Sequence, residues 1–223
     1  VSVDSAGKCL DDINFNLSKL VYKNSEIKDE LVPEVVAHDY RKGAAHNYCL
    51  SACTVLFKLS AIKENGLMFL SEREMISEDS FFLLDFYSKA HCVALLPQAL
   101  YFRFVNMASL TTTYRADRQE KNDFFLTKTL DLAEKSGYSV EINSRIIMLY
   151  QNFTLAALKQ IVKSDNNSKP KKAMVKDILG NSFFRKYIGN SVLKMQKPSI
   201  RLFYTLAGFK FYNICYLLLC FKK

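Results

Sequence analysis

Glycine and proline are scarce in this sequence, with seven and four in 223 residues. That scarcity argues against a collagen-like chain, a long linker or a many-stranded sandwich, whose tight turns need both residues. The cysteines Cys9, Cys49, Cys53, Cys92, Cys215 and Cys220 form no CxxC pair and no regular framework. This spacing does not fit a disulfide-stapled secreted domain, and a reducing, cytosolic setting is expected. The opening "VSVDSAGKCLDD" has no basic region followed by an apolar core, so no signal peptide is read there. Because no methionine opens it, the chain is expected to be part of a longer protein.

What is present is a composition suited to a core: 49% hydrophobic residues and 24% charged. Disorder is therefore not expected, and with so few breakers the chain should be helix-rich. Charge is unevenly spread. The net charge is +9, but fourteen Lys or Arg face two Asp from Lys159 onward, a balance of +12 that leaves −3 for residues 1–158. A basic C-terminal third points to an anionic surface. It carries no helix-turn-helix, zinc or RNA-recognition signature, so nucleic acid is not an expected partner.

Residues 1–115 read as mixed α and β. Ile13, Phe15 and Leu17 alternate with polar residues as in a half-buried strand, "KNSE" reads as a turn, and "LFKLSAIKENG" reads as a short helix stopping at Gly66. Ser77 is placed to cap a helix starting at Glu78, whose face carries Phe82, Phe86 and Ala90. "CVALLP" and "LYFRFV" read as two short strands interrupted by Pro97, and "NMASLTT" as a loop. Residues 116–223 read as helical. Leu126, Leu130 and Ala133 share a face before Gly137. A helix over 140–163 carries Ile142, Ile146, Leu149, Phe153 and Ala156, and "SDNNSKP" breaks the pattern. Two further helical stretches are expected between Pro170 and Lys197, and Pro198 should open the last helix.

The pieces "LFKLSAIKENGLMF", "ISEDSFF" and "LLPQALYFRFVNMASLT", in that order between Ser51 and Thr111, resemble the second half of the catalytic domain of family 2 glycosyltransferases, particularly bacterial enzymes building surface polysaccharides. The strand-like segment at residues 13–22 fits upstream of them. The resemblance implies the second half of a GT-A-type α/β domain over residues 1–115, the acceptor side, followed by a helical C-terminal region. It implies transfer of a sugar from a nucleotide-sugar donor to a polysaccharide or lipid-linked acceptor hydroxyl. Asp79, matching the Asp of the family's Glu-Asp motif, would be the general base, with Glu78 in support. Arg103 and Lys58 would bind substrate through its diphosphate. The donor-binding half, and the ligands for the Mg or Mn ion the family uses, are not found in this chain, which would be inactive alone. The segment before "LFK" reads "ACTV", where family members often carry Val-Trp-Asn-Lys, so acceptor identity does not transfer.

Local electrostatics also accounts for the carboxylate pair, since acidic residues in a helix's first turn stabilise it by roughly 0.3–1 kcal/mol. His38, His46 and Cys49 match no standard zinc spacing. The segment 202–221 carries one charge, Lys210, and many aromatics. It is expected to lie as an interfacial helix on an anionic membrane, with a buried helix as the competing reading and a bilayer span a third. Together with the resemblance, these features lead to the expectation of a cytoplasmic location, peripheral to the inner membrane. The alternative function is a non-catalytic membrane-associated interaction module.

Overall fold

The computed structural model describes residues 2–3, 8, 17, 19–43, 48, 50–104, 114–164 and 168–221. The alternation at Ile13 and Phe15, the "NMASLTT" loop, His46 and Cys49 lie outside these residues. The described chain is mostly helical with a small antiparallel sheet.

Strand β1 (Ser2–Val3) pairs in parallel with β4 (Arg103–Phe104), and β2 (Val21–Lys23) pairs antiparallel with β3 (Cys92–Ala94). The two strands read from "CVALLP" and "LYFRFV" are thus β3 and β4, but each has a different partner. The β2–β3 ladder is prolonged by Leu95, whose N–H donates to the Leu20 carbonyl at 2.7 Å. Pro97, without an N–H, cannot extend it.

A π-helical turn at Ile27–Leu31 runs into α1 (Val32–Val36), and α2 (Leu59–Glu64) ends before Gly66, whose φ of 60° supplies the left-handed stop. Helix α3 (Glu78–Lys89) buries Phe82 and Phe86 as its spacing predicts. Helices α4 (Arg118–Lys135) and α5 (Val140–Lys163) form a hairpin through Gly137, at φ 67°. The chain continues through α6 (Ser168–Gly180), α7 (Ser182–Arg185) and α8 (Asn190–Met195). That makes three helices where two were expected. Asn181, accepting from the Phe183 N–H at 2.8 Å, starts α7 as a separate turn.

Helix α5 is central, packing against α1, α4, α6, α8 and the C-terminal helix. Its buried residues include Ile142, Ile146, Tyr150, Leu158 and Ile161, together with polar Arg145, Gln151 and Thr154. Leu149, Phe153 and Ala156 are only half-buried. A helix with neighbours on several sides does not bury a single stripe. Its polar positions are admitted because each has partners, Gln151 for example donating to the Tyr187 carbonyl at 2.7 Å and accepting from Gln196 at 2.9 Å. One apolar cluster runs from Tyr22 to Leu219.

The segment 202–221 is two helices, not one. Helix α9 (Pro198–Gly208) has the proline in its first turn, and α10 (Tyr212–Phe221) follows a break at Phe209–Phe211. Lys210 makes the break, with a left-handed φ of 64°. Its N–H donates to the Ala207 carbonyl at 2.9 Å and that of Phe211 to the Leu206 carbonyl at 3.0 Å. These bonds close α9 with a residue that sequence reasoning does not flag, because glycine ordinarily fills this position. Among the described residues, no helix is long and apolar enough to cross a membrane.

Candidate functional site

The carboxylates of Glu78 and Asp79 occupy the first two positions of α3, where free backbone N–H groups and the helix dipole favour negative charge. The helix is held from below by aromatic packing. Phe82 stacks on Phe69 with ring centroids 3.9 Å apart, and Phe57 meets Phe82 and Phe86 edge-on at 5.6 and 4.9 Å. Such contacts add about 0.5–1.5 kcal/mol each beyond the area they bury. They fix the angle at which the N-terminus of α3 is presented.

Ser77 stands at the N-cap, but its side chain makes no cap bond and its backbone is left-handed at φ 58°, ψ 43°. The sequence-based expectation of a hydroxyl cap is therefore corrected. The first turn is instead closed by backbone, the Ser80 and Phe81 N–H groups donating to the Ser77 carbonyl at 3.0 and 3.3 Å. The Ser80 N–H also donates to Asp79 Oδ1 at 2.8 Å. Ser80 Oγ donates to the Leu50 carbonyl at 3.3 Å, tying the turn to the preceding loop. Ser77→Gly should therefore raise stability by about 1 kcal/mol, since glycine adopts the left-handed conformation without the penalty a Cβ brings and no side-chain bond is lost. Urea denaturation checks this. A fall in the unfolding midpoint would restore the hydroxyl cap.

The two carboxylates differ in surroundings. Burial, and then the charges of Asp79 and Glu72, push the Glu78 carboxyl above the usual range. Asp79 uses one oxygen in its bond to Ser80, and its second oxygen has no hydrogen-bond partner among the described residues. Half-buried at the head of a helix, that oxygen can accept a proton. Glu72, which sequence reasoning missed, lies 3.7 Å from Arg115, and Arg115 also reaches Asp117 at 3.4 Å. Both Glu72 and Arg115 sit outside regular helices, where no periodicity reports that they share a surface.

The proposed diphosphate ligands are less tightly placed. Lys58 is exposed at the N-cap of α2, next to Phe57, whose ring packs on α3. Arg103 is exposed on β4, opposite Ser2. A cavity of about 200 Å³ among α4, α5 and α6 is lined by residues including Tyr114, Arg115, Arg118, Gln119 and Asp177. A groove of about 500 Å³ at the α4–α5 turn includes Asp131, Glu134 and Tyr138. Neither is lined by Glu78 or Asp79. Among the described residues no group of three or more His, Cys, Asp or Glu is disposed to hold a metal ion. His38 instead shares a 2.6 Å hydrogen bond with Glu34 and a 3.0 Å contact with the Gly43 carbonyl. Cys53 is exposed.

Comparison with protein-family models, curated proteins and solved structures returns no match to this chain.

Proposed function

We propose that this chain is the acceptor-side part of a family 2 glycosyltransferase of GT-A architecture, with Asp79 as the general base. The observation that carries the reading is the Asp79 oxygen at the head of α3 that has no hydrogen-bond partner among the described residues, inside a run of segments ordered as in that family. In this scheme the acceptor hydroxyl attacks the anomeric carbon of a nucleotide-diphosphate sugar. The new C–O bond forms as the bond to the diphosphate breaks, the nucleoside diphosphate leaves with the electron pair, and the hydroxyl proton passes to Asp79. Attack from the face opposite the leaving group inverts the anomeric configuration. A carboxylate within reach of the attacking hydroxyl is suited to general-base catalysis of this step.

Glu78 supports the site by adding negative charge beside the acceptor, and Lys58 and Arg103 supply cations for a diphosphate on donor or lipid-linked acceptor. In this reading the Mg or Mn ion would be held by the donor-binding half, outside this chain. In this reading residues 1–115 serve the acceptor, residues 116–223 brace them, and the enzyme works at the cytoplasmic face of the inner membrane.

The test is transfer by the complete protein. Radiolabelled nucleotide-diphosphate sugars are supplied one at a time with a membrane lipid and polysaccharide extract, and the product's anomeric configuration is read by NMR. Label in a glycan product with inverted configuration is expected. No transfer from any donor, or retained configuration, would contradict the reading.

A further inference from the structure

Helix α10 is uncharged and apolar on nearly every side, a pattern that ordinarily means full burial. Among the described residues, one side is covered. Cys215 and Leu219 are buried in the core, with Phe203, Tyr204 and Ala207 of α9. The opposite side leaves Ile214 45%, Leu217 53% and Phe221 83% exposed, and Phe211, in the break just before the helix, is 51% exposed. These residues recur at three- and four-residue intervals, so they form one stripe. Phe209, 71% exposed with its ring 6.4 Å from that of Phe211, carries the stripe onto the turn.

Along the sequence, the flanks of the stripe are basic. From residue 178 to the end the sequence has eight Lys or Arg and no Asp or Glu. Lys210 stands exposed between the two tip phenylalanines, and Arg201 is exposed at the base of α9. Two more lysines follow Phe221 in the sequence. An exposed apolar stripe flanked in sequence by basic residues is complementary to an anionic lipid surface. Apolar side chains enter the acyl boundary while ammonium groups remain among headgroup phosphates. Ten residues span about 15 Å along the helix axis, half the hydrocarbon thickness of about 30 Å. The helix is therefore suited to lie along the surface rather than cross it.

The hairpin is held rigidly in this presentation. Arg185 of α7 donates to the Ala207 and Gly208 carbonyls at 3.3 and 3.1 Å and lies 3.3 Å from the Tyr212 hydroxyl. It thus closes the end of α9 and positions α10. We infer that the outer face of the α9–α10 hairpin, from Phe209 through Phe211 and Leu217 to Phe221, docks on an anionic phospholipid bilayer. This holds whether or not the chain transfers sugar.

The experiment is co-sedimentation of the full chain with phosphatidylcholine vesicles, with and without phosphatidylglycerol, at low and high salt. Binding to the phosphatidylglycerol vesicles, weakened by salt, is expected. A Phe209→Ser/Phe211→Ser variant should bind at least about tenfold more weakly, because it removes the apolar tip. Lys210→Gly separates binding from folding. It should raise the melting temperature, because glycine suits the left-handed position, and still lower vesicle binding about fivefold, the effect of one basic residue near the surface. The inference is overturned by equal binding to neutral and anionic vesicles, by no binding to either, or by unchanged binding in both variants. A dimer held through this face, seen by analytical ultracentrifugation and lost in the serine variant, in place of vesicle binding, would also overturn it.

Discussion

Replacing Arg145 by alanine should destabilise the fold by about 3–5 kcal/mol, a large share of the roughly 5–15 kcal/mol that holds a typical domain together. Arg145 is fully buried and links α5 to the N-terminal region. One guanidinium nitrogen donates to the Ala37 carbonyl at 2.6 Å. The other reaches Glu34 at 3.1 Å and Glu141 at 2.7 Å. Truncation leaves a cavity, an unsatisfied carbonyl and a Glu34 carboxylate with less countercharge, although His38 at 2.6 Å and Lys42 at 3.3 Å remain. Arg145→Met should cost less than Arg145→Ala, since it restores volume while removing the same charge. Urea unfolding midpoints at neutral pH measure both. Equal midpoints for wild type and Arg145→Ala would show that the buried pair contributes nothing net.

The same cluster sets a pH dependence. Burial alone would raise the Glu34 carboxyl, but the His38 hydrogen bond and the charges of Arg145, His38 and Lys42 outweigh it and hold the group below its usual range. A depressed folded-state value means that the stabilisation is complete above the unfolded carboxylate range. It is lost as pH falls through the folded value. Acid unfolding should therefore cost the wild type more stability than it costs Arg145→Ala, in which part of that depression is already gone.

Asp79→Asn is the substitution with the largest expected effect on activity. General-base catalysis contributes about 10²–10⁴-fold, and asparagine cannot accept the acceptor's proton. The loss should fall on kcat, with donor affinity kept, because the change removes a proton acceptor needed only as the new bond forms. Asparagine keeps the carbonyl oxygen that accepts the Ser80 N–H, so α3 should start as before. Glu78→Gln is the control. Glu78, with its carboxyl raised by burial and neighbouring charge, is the other group chemically able to take a proton. Under this account its loss weakens acceptor binding and spares kcat.

Strong periodicity made the long helices legible. The limits of α5 follow from regular apolar spacing bounded by Gly137 and the polar "SDNNSKP", and Pro198 marks the start of α9. Helix α1 was hidden because Pro33 reads as a breaker. The helical run nevertheless passes through Pro33, entering α1 from the π-helical turn at Ile27–Leu31. The break at Lys210 was equally hidden, because a left-handed lysine leaves no mark in composition. Arg145 could be read only as a charge on an apolar helix, since its partner Glu34 lies over a hundred residues away. Asp79 was singled out as a candidate by the order of the segments around it. The left-handed Ser77 and the approach of Glu72 to Arg115 depend on loop geometry that no local pattern encodes.

The most direct test of the central claim is a single-turnover measurement on the complete protein with donor and acceptor both bound, comparing wild type, Asp79→Asn and Glu78→Gln. The account predicts that Asp79→Asn binds donor normally and transfers at least about 100-fold more slowly, while Glu78→Gln transfers at close to the wild-type rate. Near-normal transfer by Asp79→Asn, with Glu78→Gln inactive, would move the base to Glu78 and contradict the assignment.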